Sequence, residues 1–422
     1  MNNFLFLRMT KYFLLVFFGL FFAIKTLLAQ PGCTDPQANN YTVSATMNDG
    51  SCEYPTTNYS LQEIAILPNQ ILETSGLAFF DNQLWTHNDA GNEDKIYQID
   101  TTDGSILNTV IIANSSNEDW EDLAEDETHL YIGDFGNNDG DRMDLRIYKV
   151  LKSQLASGIA TAEVIEFSFS DQVDFTPSNN NTDYDCEAFF FHNDSLHLFS
   201  KNWINQQTRH YVIPSQPGSY VAQLRESMNV QGLITGADIS DDGVVGLIGY
   251  NLSGVNIAWF CFDYQGTDFF SGNKRKISLG LALANSQTEA ITFREGGYGY
   301  VSSEQFASLD AKLLSFHSEQ WTNGLSTSLN EIEASVPFKV FPNPFYKNIQ
   351  IQFNYGVDGF GENEEVEISL FNSFGKIILR KIQSGGGVLE IENLDLEHGF
   401  YFLEIRNEEN VWVKKLISQK NK

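Results

Sequence analysis

A short hairpin recurs five times through the middle of this chain, and no other feature limits the fold as much. Five segments align on an apolar position: Ser75-Gly76-Leu77-Ala78, Glu121-Asp122-Leu123-Ala124, Glu187-Ala188-Phe189-Phe190, Thr235-Gly236-Ala237-Asp238 and Glu289-Ala290-Ile291-Thr292. Seven residues after the aligned position a second strand opens in every copy, at Leu84, Leu130, Leu196, Val244 and Tyr298. Asp81-Asn82, Asp126, Asn193-Asp194, Asp241-Asp242-Gly243 and Gly296-Gly297 stand between the two strands, as a tight hairpin needs. The copies are spaced 46, 66, 48 and 54 residues apart. A four-stranded unit at this period, with almost no helical pattern, reads as a β-propeller blade. A long β-sandwich would not explain the constant internal spacing. The expectation is an all-β chain with a five-bladed propeller over residues 58–321 and room for a degenerate sixth blade. A strand within Tyr59 to Leu67 should close the ring against the last blade.

The innermost strand of a propeller blade lines the central axis, so equivalent positions converge there. The residue two before each aligned position is Ser75, Glu121, Glu187, Thr235 or Glu289, which puts three carboxylates and two hydroxyls at one mouth. Four residues past the second marker come Asn88, Asp134, Ser200, Ile248 and Ser302, in a neighbouring layer. Carboxylates around a narrow axis repel one another unless a cation or shared protons compensate. Glu121, Glu187 and Glu289, with Asp119, Asp122 and Asp185 adjacent, are therefore candidate Ca²⁺ ligands or acid/base residues. Asp89 and Asp134, from the similar loops Asn88–Asn92 and Gly133–Asn138, join Glu121, Glu187 and Glu289 as metal candidates. Lys201, Trp203 and His87 are placed to supply a cation, a stacking face and a proton shuttle. The bland alternative is that these Asp, Asn and Gly residues build turns, while the glutamates bind blade amides.

Arg8 and Lys11 precede a mostly apolar run, Tyr12 to Ile24, and Leu27-Leu28-Ala29 precedes Gln30, the pattern of a secretory signal peptide over residues 1–29. The run is too short to span a bilayer, and no later stretch is long and apolar enough, so the mature chain is expected to lack a transmembrane segment. The formal charge is −29, and about −32 once Arg8, Lys11 and Lys25 leave with the signal. Such acidity argues against a nucleic-acid partner.

Cys33 and Cys52 bracket a segment opening Gly32-Cys33-Thr34-Asp35-Pro36 and closing Asp49-Gly50-Ser51-Cys52. It resembles the small modules, often in tandem, of exported proteins from Bacteroidota. A segment of residues 30–55 cannot build a core alone, so a Cys33–Cys52 disulfide is expected as its staple. Asp35 and Asp49 offer a weaker Ca²⁺ reading. Cys186 and Cys261 read as buried thiols.

The C-terminal part carries Phe341-Pro342-Asn343-Pro344-Phe345, then Val366-Glu367-Ile368-Ser369-Leu370-Phe371 with Phe374-Gly375-Lys376, then Gly399-Phe400-Tyr401-Phe402-Leu403. In that order they resemble the type A C-terminal sorting domain of the type IX secretion system. The resemblance implies passage through the periplasm and delivery by the type IX machinery to the outer-membrane surface or the medium. Residues 336–422 are expected to form an immunoglobulin-like β-sandwich with Phe341, Leu370, Phe374, Tyr401 and Leu403 in its core. Residues 322–335 are expected to be a linker.

Asp119-Trp120-Glu121-Asp122-Leu123-Ala124, Asp183-Tyr184-Asp185-Cys186-Glu187-Ala188 and Phe199-Ser200-Lys201-Asn202-Trp203 resemble a group of exported bacterial propellers. More distantly, Glu73-Thr74-Ser75-Gly76-Leu77 is similar to SdiA-regulated and phytase-like propellers, which implies calcium and ester or phosphoester chemistry. Two functions follow: a secreted or surface binding module for an extracellular ligand, or a Ca²⁺-dependent hydrolase of phosphoesters or glycans.

Overall fold

The computed structural model describes residues 29–282, 286–322, 338–343, 345–353, 365–372, 376–384, 387–394, 396, 399–407 and 411–418. The signal expected at 1–29, save Ala29, and most of the expected linker lie outside the described residues. The chain forms two compact units, Met1–Gly324 and Leu325–Lys422.

In the first unit the described residues form five antiparallel meanders, each opening on one of the aligned hairpins. Their inner strands are Thr74–Phe80, Trp120–Glu125, Asp185–His192, Leu233–Ile239 and Gln287–Phe293. Asp81-Asn82 and Asn193-Asp194 hold positive φ at both turn positions, between 49° and 59°. That conformation matches the right-handed twist of the flanking strands, and Asn and Asp tolerate it best.

Neighbouring meanders pack through apolar clusters, one for each successive pair. Phe80, Trp85 and Val110 of the first meander meet Trp120, Ile132 and Tyr148 of the second. Phe135 and Ile147 of the second meet Phe189, Leu198 and Tyr211 of the third. Phe190 and Phe199 join Ala237, Leu247 and Cys261, and Ile248, Phe260 and Ile277 join Ile291, Phe293 and Phe316. Ala290, Tyr300 and Leu313 of the fifth meander then return to Leu77, Leu84 and Tyr97 of the first. Inner strands make corresponding contacts in a closed cycle, so the unit is β-propeller-like. The outer strands Glu163–Phe169 and Gly218–Asn229 pair in parallel, fusing the second and third meanders into an eight-stranded sheet.

Closure comes from the N-terminal side. Gln62–Ile66 pairs antiparallel with Lys312–His317 and supplies the fourth strand of the fifth meander. Thr57–Asn58 adds to the outer edge of the fourth. Ahead of it the small module is stapled by the Cys33–Cys52 disulfide, with Cα atoms 4.7 Å apart. Cys186 and Cys261 are buried and unbridged. The module rests on the fourth meander: Lys274 Nζ donates to Gly50 O at 3.3 Å, Asn48 Nδ2 to Asn273 Oδ1 at 3.0 Å, and Arg275 to Gln37. Asp35 is committed within the module, accepting from Gln37 N and the Tyr54 hydroxyl.

The second unit holds a three-stranded sheet (Phe338–Phe341, Ile349–Phe353, Val388–Ile391) and a four-stranded one (Ile377–Ser384, Glu365–Asn372, Gly399–Arg406, Val411–Ser418). Ile349, Ile351, Ile368, Leu370, Tyr401 and Leu403, drawn from both sheets, share one core. Phe341 departs from expectation at 40% exposed, because strand alternation turns Phe338 and Val340 inward instead. Phe374 lies outside the described residues.

Candidate functional site

Each of the five inner strands carries a β-bulge, and every bulge takes in the residue two before the aligned position. Ladder register slips by one residue at Ser75-Gly76, at Glu121-Asp122, and at the single residues Glu187, Thr235 and Glu289. The extra residue breaks the in-out alternation and re-aims a side chain, a use bulges often serve beside active sites. All five lie near the N-terminal ends of their strands, at one mouth of the ring.

Glu121, Glu187 and Glu289 are buried there and sense one another. Burial, then Glu187, Asp89 and Asp119, push the Glu121 carboxyl well above the usual carboxylate range. Burial and Glu304 push Glu289 up. Burial raises Glu187, opposed by Lys201, whose Nζ sits 2.8 Å from Glu187 Oε1. Burial disfavours the Lys201 ammonium, but Glu187, Tyr250, Asp185 and Glu289 outweigh it and the net shift is up. The ammonium also stands 5.1 Å from the Trp203 ring centroid and 5.7 Å from that of Tyr250. Trp203 Nε1 donates to Asp185 Oδ2 at 2.8 Å, and Asn137 N donates to Asp185 Oδ1 at 2.7 Å. Burial with Asp89 and Asp185 pushes Asp119 up to about 7, and burial with Asp89 pushes Glu304 up to about 7.

Two further sequence candidates are already engaged by the fold. Asp134 is turned to Arg142 Nη2 at 3.1 Å and Arg146 Nε at 3.5 Å, so its charge is already compensated. His87 is fully buried, with Nδ1 2.9 Å from Asn88 O and its ring against Trp120; burial lowers its pKa to about 4. A neutral imidazole sealed from water is no proton shuttle at neutral pH.

Asp122, named in the sequence only as a neighbour, has a distinct task. Its carboxylate accepts from Leu123 N at 2.8 Å and from Phe189 N and Ala237 N, both at 3.2 Å. One side chain thus ties the inner strands of the second, third and fourth meanders. Asp238 does likewise toward the fifth, accepting from Phe293 N at 2.7 Å and Thr292 Oγ1 at 3.0 Å. The signal was present, since Asp122 and Asp238 each adjoin an aligned apolar residue, but acidity alone gave no hint of which face they take. A cavity of 330 Å³ opens at the hairpin end of the same strands, lined by Asp81, Glu125, Asp241 and Arg294 among others. None of the bulge residues reaches it.

No curated protein matches the sequence. Among solved structures the chain is similar to the extracellular domain of a putative one-component system from B. thetaiotaomicron (11% identity, TM-score 0.29, 87% of this chain) and spans 59% of that structure's length. It is also similar to a gluconolactonase from Xanthomonas campestris (11% identity, TM-score 0.32, 57% of this chain and 71% of the other). A xylan β-1,4-xylosidase from Bacillus halodurans matches at 11% identity and TM-score 0.36, over 86% of this chain and 91% of the other. At these scores none of the three bears on what the acidic mouth does. No described helix is long and apolar enough to cross a membrane. Residues 339–419 match the secretion system C-terminal sorting domain, and with it the chain is an exported protein addressed to the type IX machinery, secreted or attached to the cell surface.

Proposed function

We propose that this exported protein is a binding module whose propeller mouth takes a hydroxyl-rich extracellular ligand, with glycans the leading class. The carrying observation is the bulge repeated at one position of all five inner strands, which aims Glu121, Glu187 and Glu289 at a common mouth. Carboxylates are strong acceptors for sugar hydroxyls, Lys201 adds a donor, and Trp203 offers an aromatic face on which a ring stacks. The rest of the organisation is proposed with it. Five interface clusters and the N-terminal closing strand support five blades rather than six. A core shared by two sheets supports an immunoglobulin-like sandwich in the sorting domain. A cleaved signal before Gln30 and passage through the periplasm fit the sorting domain, and the docked disulfide module serves as a cap on the fourth blade.

A second reading, hydrolysis of a glycan or phosphoester, is favoured by one observation. Glu121 is pushed toward its protonated form beside Glu187, which pairs with Lys201 at 2.8 Å, and two carboxyls in such unlike surroundings are the arrangement that bond cleavage uses. The two are separated by screening the full-length secreted protein against glycans for binding and for product release. Replacing Glu121 and Glu187 together by Gln should weaken binding modestly if the mouth only binds. A loss of product formation by orders of magnitude would establish hydrolysis, and an unchanged affinity would remove the mouth from either role.

A further inference from the structure

Resting on the mouth being the ligand site, we propose that it holds one hard divalent cation, Ca²⁺ by preference, bound by Asp89, Asp119 and Glu121 and set off the axis. One oxygen from each of the three lies within 4.8 Å of the others. Two oxygens on opposite sides of a calcium ion at about 2.4 Å are about 4.8 Å apart, so the spacing of the trio lies within the reach of one ion.

The second observation is independent of that spacing. Glu121 is only 3% exposed, and its carboxylate receives no hydrogen bond and no ion pair among the described residues. Buried carboxylates are ordinarily paired or donated to, and a lone one calls for a counter-ion. The nearby cations are committed elsewhere: Lys201 to Glu187, and Arg142 to Asp134, Asp144 and Gly136 O. Asp119 and Glu121 lean over Gly136, where a Cβ would overlap Glu121 Oε1 and Asp119 Oδ2. Lys201 is thus paired with Glu187, while Asp89, Asp119 and Glu121 on the second-meander side form no ion pair among the described residues. All-oxygen donors of this kind suit Ca²⁺, Mg²⁺ or Mn²⁺ rather than softer metals.

Isothermal titration calorimetry of the chelator-treated full chain, with CaCl₂ and separately MgCl₂ and MnCl₂, is the test. One ion per chain is expected, with affinity for Ca²⁺ lowered roughly tenfold or more by Glu121→Gln and by Asp119→Asn. Asp81→Asn, at the opposite mouth, should leave it unchanged. Melting curves in EDTA separate loss of the ion from loss of the fold, since Glu121→Gln relieves repulsion and should melt no lower than the native chain. No binding of any of the three ions by the folded protein overturns the proposal. So does binding retained in both variants, or binding lost in Glu187→Gln and kept in Glu121→Gln. Glycan binding that persists in EDTA while no ion binds would sink the metal and leave the ligand reading standing.

Discussion

Glu121 and Asp122 are adjacent in sequence and both buried, yet among the described residues Asp122 accepts three backbone N–H donors from three inner strands while Glu121 accepts none. The ring interior and the ring mouth differ in the same way. In the interior, the Asp122 and Asp238 carboxyls accept from amides of neighbouring strands. At the mouth, the carboxylates of Asp89, Asp119 and Glu121 share a single donated bond among the described residues, from Ala90 N to Asp89. Burial of a carboxylate therefore does not mark a site; burial without donors does. The comparison separates groups that hold the fold from groups the fold holds ready.

The interior side breaks most easily. Asp122→Ala should strand two amides of neighbouring strands and cost about 3 kcal/mol, lowering the melting temperature of the first unit by roughly 10 °C. An unchanged melt would mean that the amides find other acceptors and that Asp122 is no lock. A smaller loss, about 2 kcal/mol, is expected from Cys33→Ser with Cys52→Ser, because the module keeps its contacts through Lys274 and Arg275. Limited proteolysis should then cut near residues 30–54 while the rest of the unit stays intact, and cleavage spread through the meanders would contradict a peripheral staple.

Titration gives the finest comparison. Burial holds Asp238 and Glu304 up at about 7, so the folded state keeps protons that the unfolded chain releases near pH 4. Their contribution is fully present at low pH and is lost as pH rises toward about 7. Burial lowers His87 to about 4 and His197 to about 3, so these contribute stability above the unfolded histidine pKa of about 6.5 and lose it as pH falls. Between about pH 4 and 6.5 the two effects offset, so in metal-free buffer the melting temperature should hold level through mildly acid pH and fall by several degrees as pH rises from about 6.5 toward 8. A melt that rises steadily to pH 8 would contradict the raised carboxyls.

Much of this was legible in the chain. The seven-residue hairpin spacing and the Asp81-Asn82 and Asn193-Asp194 turns carried the meanders, because a tight turn demands residues that accept positive φ. The alignment also picked out the bulge positions, since each lies two residues before a core residue that must stay in register. The bulge itself was not legible: it is a mismatch between strands, visible only once Cys186 pairs with Ser200 and Ala188 with Phe199. Lys201 was read as a cation near the mouth, but its bond to Glu187 depends on that same slip. Asp134 looked equivalent to Asp89 in its loop, and only Arg142 and Arg146, folded back onto it, set the two apart. Phe341 matched an apolar motif position, yet the alternation of its own strand sends it outward.

The most direct test of the mouth as a site held ready, rather than a piece of the scaffold, is to melt Glu121→Gln and Asp122→Asn side by side in metal-free buffer at pH 7.5. Glu121→Gln should melt at or above the native temperature, because it replaces a buried carboxyl that receives no hydrogen bond and no ion pair among the described residues, whereas Asp122→Asn should melt several degrees below it. A clear drop for Glu121→Gln, equal to that for Asp122→Asn, would show that Glu121 is structural and would contradict the account.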